Sequence, residues 1–150
     1  MTTTTPAPAV SLLQEAEDST IKEGLAVLDE FMAAFNAEDS PRWSKTLHYP
    51  HIRIAGGSVT IWQSPEDYAS SNDISLLRKT GWHHSRWDFR HLVQADADKL
   101  HFAVQFTRYD ANDHAQGRFQ ALYVLTRQQG RWGVQARSSY VGMLVTGVAF

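Results

Sequence analysis

Strand alternation is clearest at residues 99–109, which read KLHFAVQFTRY. Every second position is apolar: Leu100, Phe102, Val104 and Phe106. Successive side chains of a strand point to opposite faces of its sheet, so His101, Gln105 and Thr107 share the other face. The segment therefore predicts a long strand with one core face and one wetter face.

Similar extended runs precede and follow this strand, at residues 82–95, 117–128 and 131–141. The connections between the runs are short and contain the Asp, Asn and Gly residues that favour turns. Short connections usually join strands that are antiparallel neighbours in a sheet. The second half of the sequence therefore predicts an antiparallel meander.

The first half of the chain has a helical period instead. Apolar residues recur at spacings of four and three: Ile21, Leu25, Leu28, Met32 and Phe35. This stripe predicts a long helix that begins near Thr20, where Glu23 gives the spacing of a capping box, and ends near Asn36. A preceding helical turn at Ser11, or one longer helix with a break near Asp18, is an alternative.

Shorter elements lie between the long helix and the meander. Ser40-Pro41 predicts a short second helix capped by Ser40, because proline fits the first helical position after a serine cap. Two extended runs, residues 48–55 and 58–63, flank Gly56-Gly57, a dipeptide that suits a two-residue hairpin turn. Ser64-Pro65 predicts the start of a third helix with a side-chain cap. Helices followed by strands indicate an α+β fold, in which a curved antiparallel sheet has the N-terminal helices packed on its concave face.

Length and composition limit the class of protein. The 150 residues are enough for one domain and too few for two. Residues 1–10, rich in Thr and Pro, are expected to form a disordered N-terminal tail, and residues 11–150 a single domain. The absence of cysteine excludes disulfide scaffolds, thiol nucleophiles and thiolate metal sites.

Charge is distributed unevenly along the chain. Residues 1–75 carry 11 acidic and 4 basic side chains, whereas residues 76–150 carry 5 acidic and 10 basic ones. The basic residues are scattered over several predicted strands and form no stripe of the kind that binds nucleic acid. There is no signal-peptide pattern and no apolar run of the roughly 20 residues that cross a bilayer. We therefore expect a cytoplasmic protein that binds neither nucleic acid nor membranes.

Aromatic and imidazole side chains cluster in the middle of the sequence. Five of the seven histidines and four of the five tryptophans lie between Trp43 and His91. Imidazole can transfer protons near neutral pH, and indole rings can form the wall of a pocket. Alternation places His83 and Trp87 on the more apolar face of the 82–95 strand, which we assign to the inside. The alternative is structural, with tryptophans in the core and histidines at strand ends in solvent.

A metal site and a nucleotide cofactor are not expected. His83 and His91 are eight residues apart, which is about 26 Å along a strand. His48 and His51 point to opposite sides of a strand unless a bulge intervenes. The sequence also contains no phosphate-binding loop, nucleophile elbow or dinucleotide fingerprint. We therefore expect no cofactor.

Five segments carry a family resemblance: FMAAFN at 31–36, LHYPHIR at 47–53, SPEDY at 64–68, FTRYD at 106–110 and GRWGV at 130–134. Together with the order of the predicted elements over about residues 15–141, they resemble the nuclear transport factor 2-like superfamily. This superfamily includes SnoaL-like polyketide cyclases, ketosteroid isomerases and scytalone dehydratase. The matching segments include no catalytic signature. They indicate the architecture but say little about the chemistry, because this one fold hosts enzymes, carriers and assembly domains.

The resemblance implies a cone-shaped α+β barrel with a pocket between sheet and helices, and a homodimer formed through the sheet. Isomerase-like and cyclase-like relatives often carry an acidic general base near the start of the first strand. This sequence has His51 there, after Tyr49-Pro50. The presence of a histidine in place of the acidic residue favours acid–base catalysis by histidine with tyrosine partners, as in scytalone dehydratase, over catalysis by a carboxylate base. The structural alternative is that His51 caps a strand in solvent.

The first functional hypothesis is a SnoaL-like pocket for a small, apolar, oxygenated ligand, with proton transfer of the lyase, isomerase or cyclase type. The candidate catalytic residues are His51 and His83, as an acid–base pair, and Tyr49, as a hydrogen-bond donor. The candidate ligand-binding residues are Trp62, Tyr68, Trp87, Tyr123, Arg137 and Tyr140. The second hypothesis is a non-catalytic dimeric ligand-binding or assembly module whose cone is filled by its own side chains.

The last segment, residues 138–150, contains no charged side chain. A segment with so many apolar residues is not expected to lie exposed in water. It either extends the last strand or covers an apolar opening of the cone or a partner subunit. We favour extension of the strand, together with a role at an interface.

Overall fold

The computed structural model describes residues 17–140 and 147–150. Within these residues the helices are α1 (Asp18–Asn36), α2 (Ser40–Ser44) and α3 (Pro65–Ser71), and a 3₁₀ helix spans Ile74–Thr80. The strands are β1 (Leu47–Ala55), β2 (Ser58–Trp62), β3 (Trp82–Ala95), β4 (Lys99–Asp110), β5 (Ala115–Gln128) and β6 (Arg131–Ser139). The predicted tail at residues 1–10 and the predicted turn at Ser11 lie outside the described residues.

The helix boundaries follow the sequence signals closely. Helix α1 begins after Glu17, which offers no side-chain cap, so the capping box predicted at Thr20 does not form. In α2 the cap is Asp39 rather than the predicted Ser40, because the Asp39 carboxylate accepts from the Arg42 backbone N–H. Helix α3 has the predicted cap, with Ser64 Oγ accepting from the Asp67 N–H. A short polar side chain at each of these last two positions satisfies an otherwise orphaned donor.

The sheet has the strand order β2-β1-β6-β5-β4-β3. Its neighbours are antiparallel, as predicted, except for β1 and β6, which are parallel, so the sheet is mixed. The outer strands β2 and β3 do not pair with each other, and the sheet is not closed. The parallel pairing places Arg53 beside Arg137, and β5 places Tyr123 on the other side of Arg137. This row positions the site described below.

The core lies between the helices and one face of the sheet. The predicted stripe of α1 is buried at Leu28, Met32 and Phe35, and the predicted inner face of β4 is buried along its whole length. A glycine lets α1 approach the sheet closely, since a Cβ at Gly24 would lie 2.4 Å from Leu100 Cδ1. Burial of these apolar faces is the main favourable term that holds the helices on the sheet.

The expected extension of the last strand is not seen in the described residues. Strand β6 ends at Ser139, and Val148, Ala149 and Phe150 lie buried in the core. Residues 141–146, which would have continued the strand, lie outside the described residues. The aromatic rings of the helices and sheet surround an apolar space, and the Phe150 ring fills it. This position is favourable because it removes the ring from water and leaves no void in the core. The return to the core matches the alternative in which the last segment covers an apolar opening of the cone.

Candidate functional site

A buried hydrogen-bonded cluster, which we call the central network, is built around Arg137. The Arg137 guanidinium donates to His51 Nε2 at 3.0 Å, to Ala149 O at 2.7 Å and to Tyr68 Oη at 2.8 Å. It also hydrogen-bonds the Tyr123 side chain. Arg137 is only 1% exposed, and none of these four acceptors is a carboxylate side chain. A buried guanidinium is therefore held by neutral acceptors and nearby aromatic rings.

His51 is held in one tautomer by this network. Its Nδ1 lies 2.9 Å from Val134 O, so this nitrogen carries the proton and donates. Its Nε2 accepts from Arg137. Burial and the adjacent Arg137 charge hold the His51 pKa well below its ordinary value. His51 is therefore a neutral ring with both nitrogens engaged, and the alternative in which it caps a strand in solvent is wrong.

The two network tyrosines are also fully buried. Burial raises the pKa of Tyr68 to about 12, although the neighbouring Arg137 opposes the rise. Burial likewise raises the pKa of Tyr123. Both hydroxyls therefore stay protonated at neutral pH and can act as hydrogen-bond donors or acceptors, not as bases.

Phe150 fills the centre of the cone. Its ring centroid lies 5.0 Å from that of Phe31, 4.3 Å from that of Phe35 and 4.2 Å from that of Phe106. The rings of Trp43 and Trp87 complete the surroundings. Arg108 donates to the main-chain oxygen of Phe150. The chain's own residue thus occupies the apolar interior in which a planar ligand was expected.

An open cavity of about 440 Å³ lies beside the central network. Its charged lining residues are Arg53, Arg118 and Arg137. Its aromatic lining residues are Phe106, Phe119, Tyr123, Tyr140 and Phe150. Its other lining residues are Gln105, Gln120 and Ser139. We call this space the arginine-lined cavity; its described lining contains no Asp or Glu.

Exposure changes across the arginine-lined cavity. Its entrance is formed by exposed residues, Arg118, Gln120 and Tyr140. Its inner wall is formed by two buried residues, Tyr123 and Arg137.

The positive charges of the lining affect one another. Burial and the Arg137 charge lower the pKa of Arg53 to about 10. The lining therefore combines an apolar wall with positive charges that repel one another.

The structure does not bring His51 and His83 together. His83 is exposed at the start of β3, the edge strand, while His51 is buried on β1, and β6, β5 and β4 lie between the two strands. The face assignment for β3 fails at His83 because a register shift between Trp82 and His84 changes the alternation. It holds at Trp87, whose indole donates to Leu28 O inside the cone.

His83 belongs to a separate group at the surface, which we call the β3 edge cluster: His83, His84 and Asp113. His83 Nδ1 lies 2.9 Å from His84 Nδ1, and His84 Nε2 lies 3.0 Å from Asp113 Oδ1. The ring of His84 stacks on Tyr109. The cluster lies outside the arginine-lined cavity, whose described lining contains no histidine.

The remaining predicted residues are divided between core and cavity. Tyr49 is half-buried and donates to Ser44 O, and burial raises the pKa of its hydroxyl. Trp62 packs against Tyr68 in the core. Of the candidate ligand-binding residues, Tyr123, Arg137 and Tyr140 line the cavity. The functional roles assigned to these residues from the sequence stay predictions.

Sequence reasoning missed the arginines that surround Arg137. Arg53 and Arg118 line the cavity, and Arg108 is buried nearby over the ring of Phe119. Strand alternation could have indicated that Arg53 points inward, because it lies two residues after His51 on β1 and shares its face. The uncharged composition of residues 138–150 indicated that this segment is not exposed, but no local pattern indicated that Phe150 would occupy the centre of the cone.

The sequence matches the family described as "NTF2-like protein (DUF6841)" over residues 22–140. The chain belongs to this family. The predicted membership of the nuclear transport factor 2-like superfamily is therefore confirmed, and the open six-stranded sheet with N-terminal helices is its version of the NTF2-like fold. No curated protein sequence matches the chain.

Solved structures of similar fold include proteins of unknown function. A Nostoc punctiforme protein with a cystatin-like fold has 13% identity and a TM-score of 0.69, covering 87% of this chain and 97% of its own. An NTF2-like protein from Novosphingobium aromaticivorans has 9% identity and a TM-score of 0.66, covering 88% and 84%. A ketosteroid isomerase-like protein from Erwinia carotovora atroseptica has 16% identity and a TM-score of 0.61, covering 83% and 97%. At these identities the likeness shows the NTF2-like fold alone.

Within residues 17–140 and 147–150, no helix has both the length and the apolar character needed to span a bilayer.

Proposed function

We propose that this NTF2-like protein binds a small, apolar, oxygenated ligand in the arginine-lined cavity. The observation that carries the proposal is the cavity itself, about 440 Å³ in volume, open at Tyr140 and ending at buried Tyr123 and Arg137. A mostly apolar concave surface with a few convergent polar groups is the usual form of a ligand site. Phe106 and Phe119 supply the apolar wall, and the guanidinium groups can reach a ligand oxygen.

Binding is favoured over proton transfer by the state of His51. Both of its ring nitrogens are engaged, with Val134 O and with Arg137, and it does not line the cavity. A general base must lie within hydrogen-bond reach of the proton that it removes. The acid–base pair of His51 and His83 therefore has no support from the geometry. The filled cone favours the non-catalytic hypothesis, with binding moved to the adjacent cavity.

The test is isothermal titration calorimetry with a panel of small two-ring probes: 2-naphthoate, 2-naphthamide and 2-naphthylmethylammonium. We expect at least one probe to bind. We also expect Ser139→Trp, which fills the cavity, to abolish that binding. Ser58→Trp is the matched control, because Ser58 is exposed at the start of β2 and does not line the cavity. No binding by any probe, or binding that survives Ser139→Trp, would overturn the proposal.

We also propose that two copies associate through the outer face of the sheet. The register places one apolar row across four strands: Ile61, Ile52, Ala136 and Val124. Ile61 is 51% exposed, and the neighbouring Ile54 is 44% exposed. An extended apolar face of this kind is typical of a protein interface. Sedimentation should show a dimer that Ile54→Lys dissociates, whereas a monomeric parent protein would refute this proposal.

The SnoaL-like assignment and the cytoplasmic location stay predictions.

A further inference from the structure

Residues 147–150, which we call the core-inserted segment, are held in the cone as a bound peptide would be. They form neither a helix nor a strand, yet the last three of them are buried. The Ala149 N–H donates to Asn72 Oδ1 at 2.8 Å, and Ala149 O accepts from Arg137 at 2.7 Å. A donor and an acceptor beside the Phe150 ring are the groups that an aromatic amide also presents. The segment therefore shows which chemistry this interior recognises.

The Phe150 ring separates two spaces. One is the arginine-lined cavity, of which Phe150 is a lining residue. The other is a set of rings around Phe150, which we call the aromatic cage: Phe31, Phe35, Trp43 and Trp87. Phe106 borders both spaces, because it lines the cavity and its ring centroid lies 4.2 Å from that of Phe150. If Phe150 left its position, the open cavity would therefore extend into the cage.

The aromatic cage contains a buried donor that Phe150 does not satisfy. Trp43 is 0% exposed, and its ring lies nearly parallel to that of Phe150, at an interplanar angle of 20°. Among the described residues, Trp43 Nε1 has no hydrogen-bond acceptor. A buried N–H without an acceptor is unfavourable, and the side chain of phenylalanine carries no oxygen or nitrogen. A ligand ring that bears an oxygen can supply the acceptor that Phe150 lacks.

The segment enters the core at a glycine. Gly147 has a φ of +90°, and a Cβ at this position would lie 3.2 Å from Leu76 Cδ1. An L side chain here is strained by the backbone conformation and crowded by its neighbour. Gly147→Ala should therefore weaken the binding of the segment in the cone. It leaves every residue of the aromatic cage and of the arginine-lined cavity unchanged.

Resting on the proposed function, we infer that the core-inserted segment is autoinhibitory: it competes for the aromatic cage with the ligand, an apolar aromatic compound that carries a neutral amide. The ligand enters through the arginine-lined cavity, and its ring takes the place of Phe150. Its amide takes the place of Ala149, with the carbonyl accepting from Arg137 and the N–H donating to Asn72 Oδ1. The apparent affinity for the ligand is then reduced by the fraction of molecules in which the segment is bound.

The first experiment follows displacement directly in the parent protein. Hydrogen exchange detected by NMR reports how often the Ala149 N–H is released from its acceptor. Saturating 2-naphthamide should speed Ala149 exchange about tenfold or more, because the ligand takes over the acceptor. The amides of β4 are the internal control and should not exchange faster. Slower or unchanged Ala149 exchange with the ligand bound would overturn the inference, since the segment would then still be in place.

The second experiment changes the strength of the competitor. Calorimetry should give a dissociation constant of 2-naphthamide about threefold or more lower for Gly147→Ala than for the parent, since more molecules then have a free cage. Gly130→Ala is the matched control, because Gly130 also has a positive φ, +75°, but lies in the turn between β5 and β6 and does not line the cavity. It should leave the dissociation constant unchanged.

The third experiment tests the class of ligand. N-methyl-2-naphthamide and methyl 2-naphthoate are both neutral and similar in shape, but the ester lacks the N–H. The amide should bind Gly147→Ala about threefold or more tightly than the ester does, because only the amide can donate to Asn72 Oδ1. Equal binding of the two compounds would overturn the amide assignment.

The outcomes keep this inference apart from the proposed function. Binding of 2-naphthamide that Ser139→Trp abolishes but Gly147→Ala does not change would overturn autoinhibition and leave ligand binding standing. Equal effects of Gly147→Ala and Gly130→Ala would also overturn it, because the effect would then not come from the segment. If no probe binds either the parent or Gly147→Ala, the proposed function fails, and this inference fails with it.

Discussion

The central network and the β3 edge cluster each contain a histidine that the sequence marked as a catalytic candidate, yet they have opposite surroundings. In the central network, His51 is 0% exposed and both its nitrogens have fixed partners. In the β3 edge cluster, His83 is exposed, and its Nδ1 contacts the ring of the neighbouring His84. The comparison teaches that residue type and strand alternation do not determine the protonation chemistry of an imidazole, whereas burial and hydrogen-bond partners do.

The largest expected effect tests whether the filling of the cone stabilises the fold. Phe150→Ala should lower the free energy of unfolding by about 3–5 kcal/mol, because it empties a buried aromatic site. Phe89→Ala on β3 is the matched control: Phe89 is half-buried and should cost about 1 kcal/mol. Urea unfolding followed by tryptophan fluorescence measures both. Equal losses would show that the interior is no better packed than the β3 edge.

The next effect tests the hydrogen bonds of the central network. Arg137→Gln should cost about 2–4 kcal/mol, because His51, Tyr68 and the Ala149 carbonyl all lose their donor in a buried environment. Arg86→Gln removes the same charge beside the β3 edge cluster, where Arg86 pairs with Asp113 in solvent. It should cost under about 0.5 kcal/mol. A small effect at Arg137 would mean that its buried charge costs as much as its bonds contribute.

The smallest effect is a dependence of stability on pH. The folded-state pKa of His51 lies well below its ordinary value, mainly because of burial, so the unfolded chain binds the proton more tightly. The free energy of unfolding should therefore fall as the pH drops below about 6.5, with a slope of at most about 1.4 kcal/mol per pH unit for this proton. Burial lowers the His48 pKa as well, and His48 adds in the same direction.

The variants His51→Gln and His83→Gln distinguish the two regions in this pH range. Urea unfolding at pH 7, 6 and 5 should show a flatter dependence for His51→Gln. His83→Gln should keep the slope of the parent, because His51 and His48 are still present. The range ends at pH 5 because the lowered carboxyl pKa values of Glu30 and Asp110 affect stability only at lower pH. A parent protein whose stability is constant from pH 7 to 5 would contradict the buried, neutral state of His51.

Much of the fold could be predicted because its signals are local. The stripe from Ile21 to Phe35 gave helix α1, Gly56-Gly57 gave the hairpin turn, and Ser64-Pro65 gave the cap of α3. Period, turn chemistry and capping all act between residues that are close in the chain. The parallel pairing of β1 with β6 was missed, since no local pattern records which distant strands become neighbours.

The candidate site was predicted only in part. Arg137 and Tyr123 were named as possible ligand contacts, and both line the cavity. Arg53 and Arg118 were not, because their convergence on one space depends on the order β1-β6-β5 in the sheet. His83 was placed on the wrong face because a single register shift at the start of β3 changes the orientation of one residue.

The sequence by itself determined the α+β class, the sites of most turns, the cap of α3, and the apolar faces that form the core. These follow from side-chain size, polarity and backbone preference, which each residue carries with it. Only the tertiary structure decided that Phe150 fills the cone, that Arg137 fixes His51 in a neutral state, and that three arginines share one cavity. These properties arise from burial and from contacts between residues far apart in the chain, so they exist only once the sheet and helices have packed.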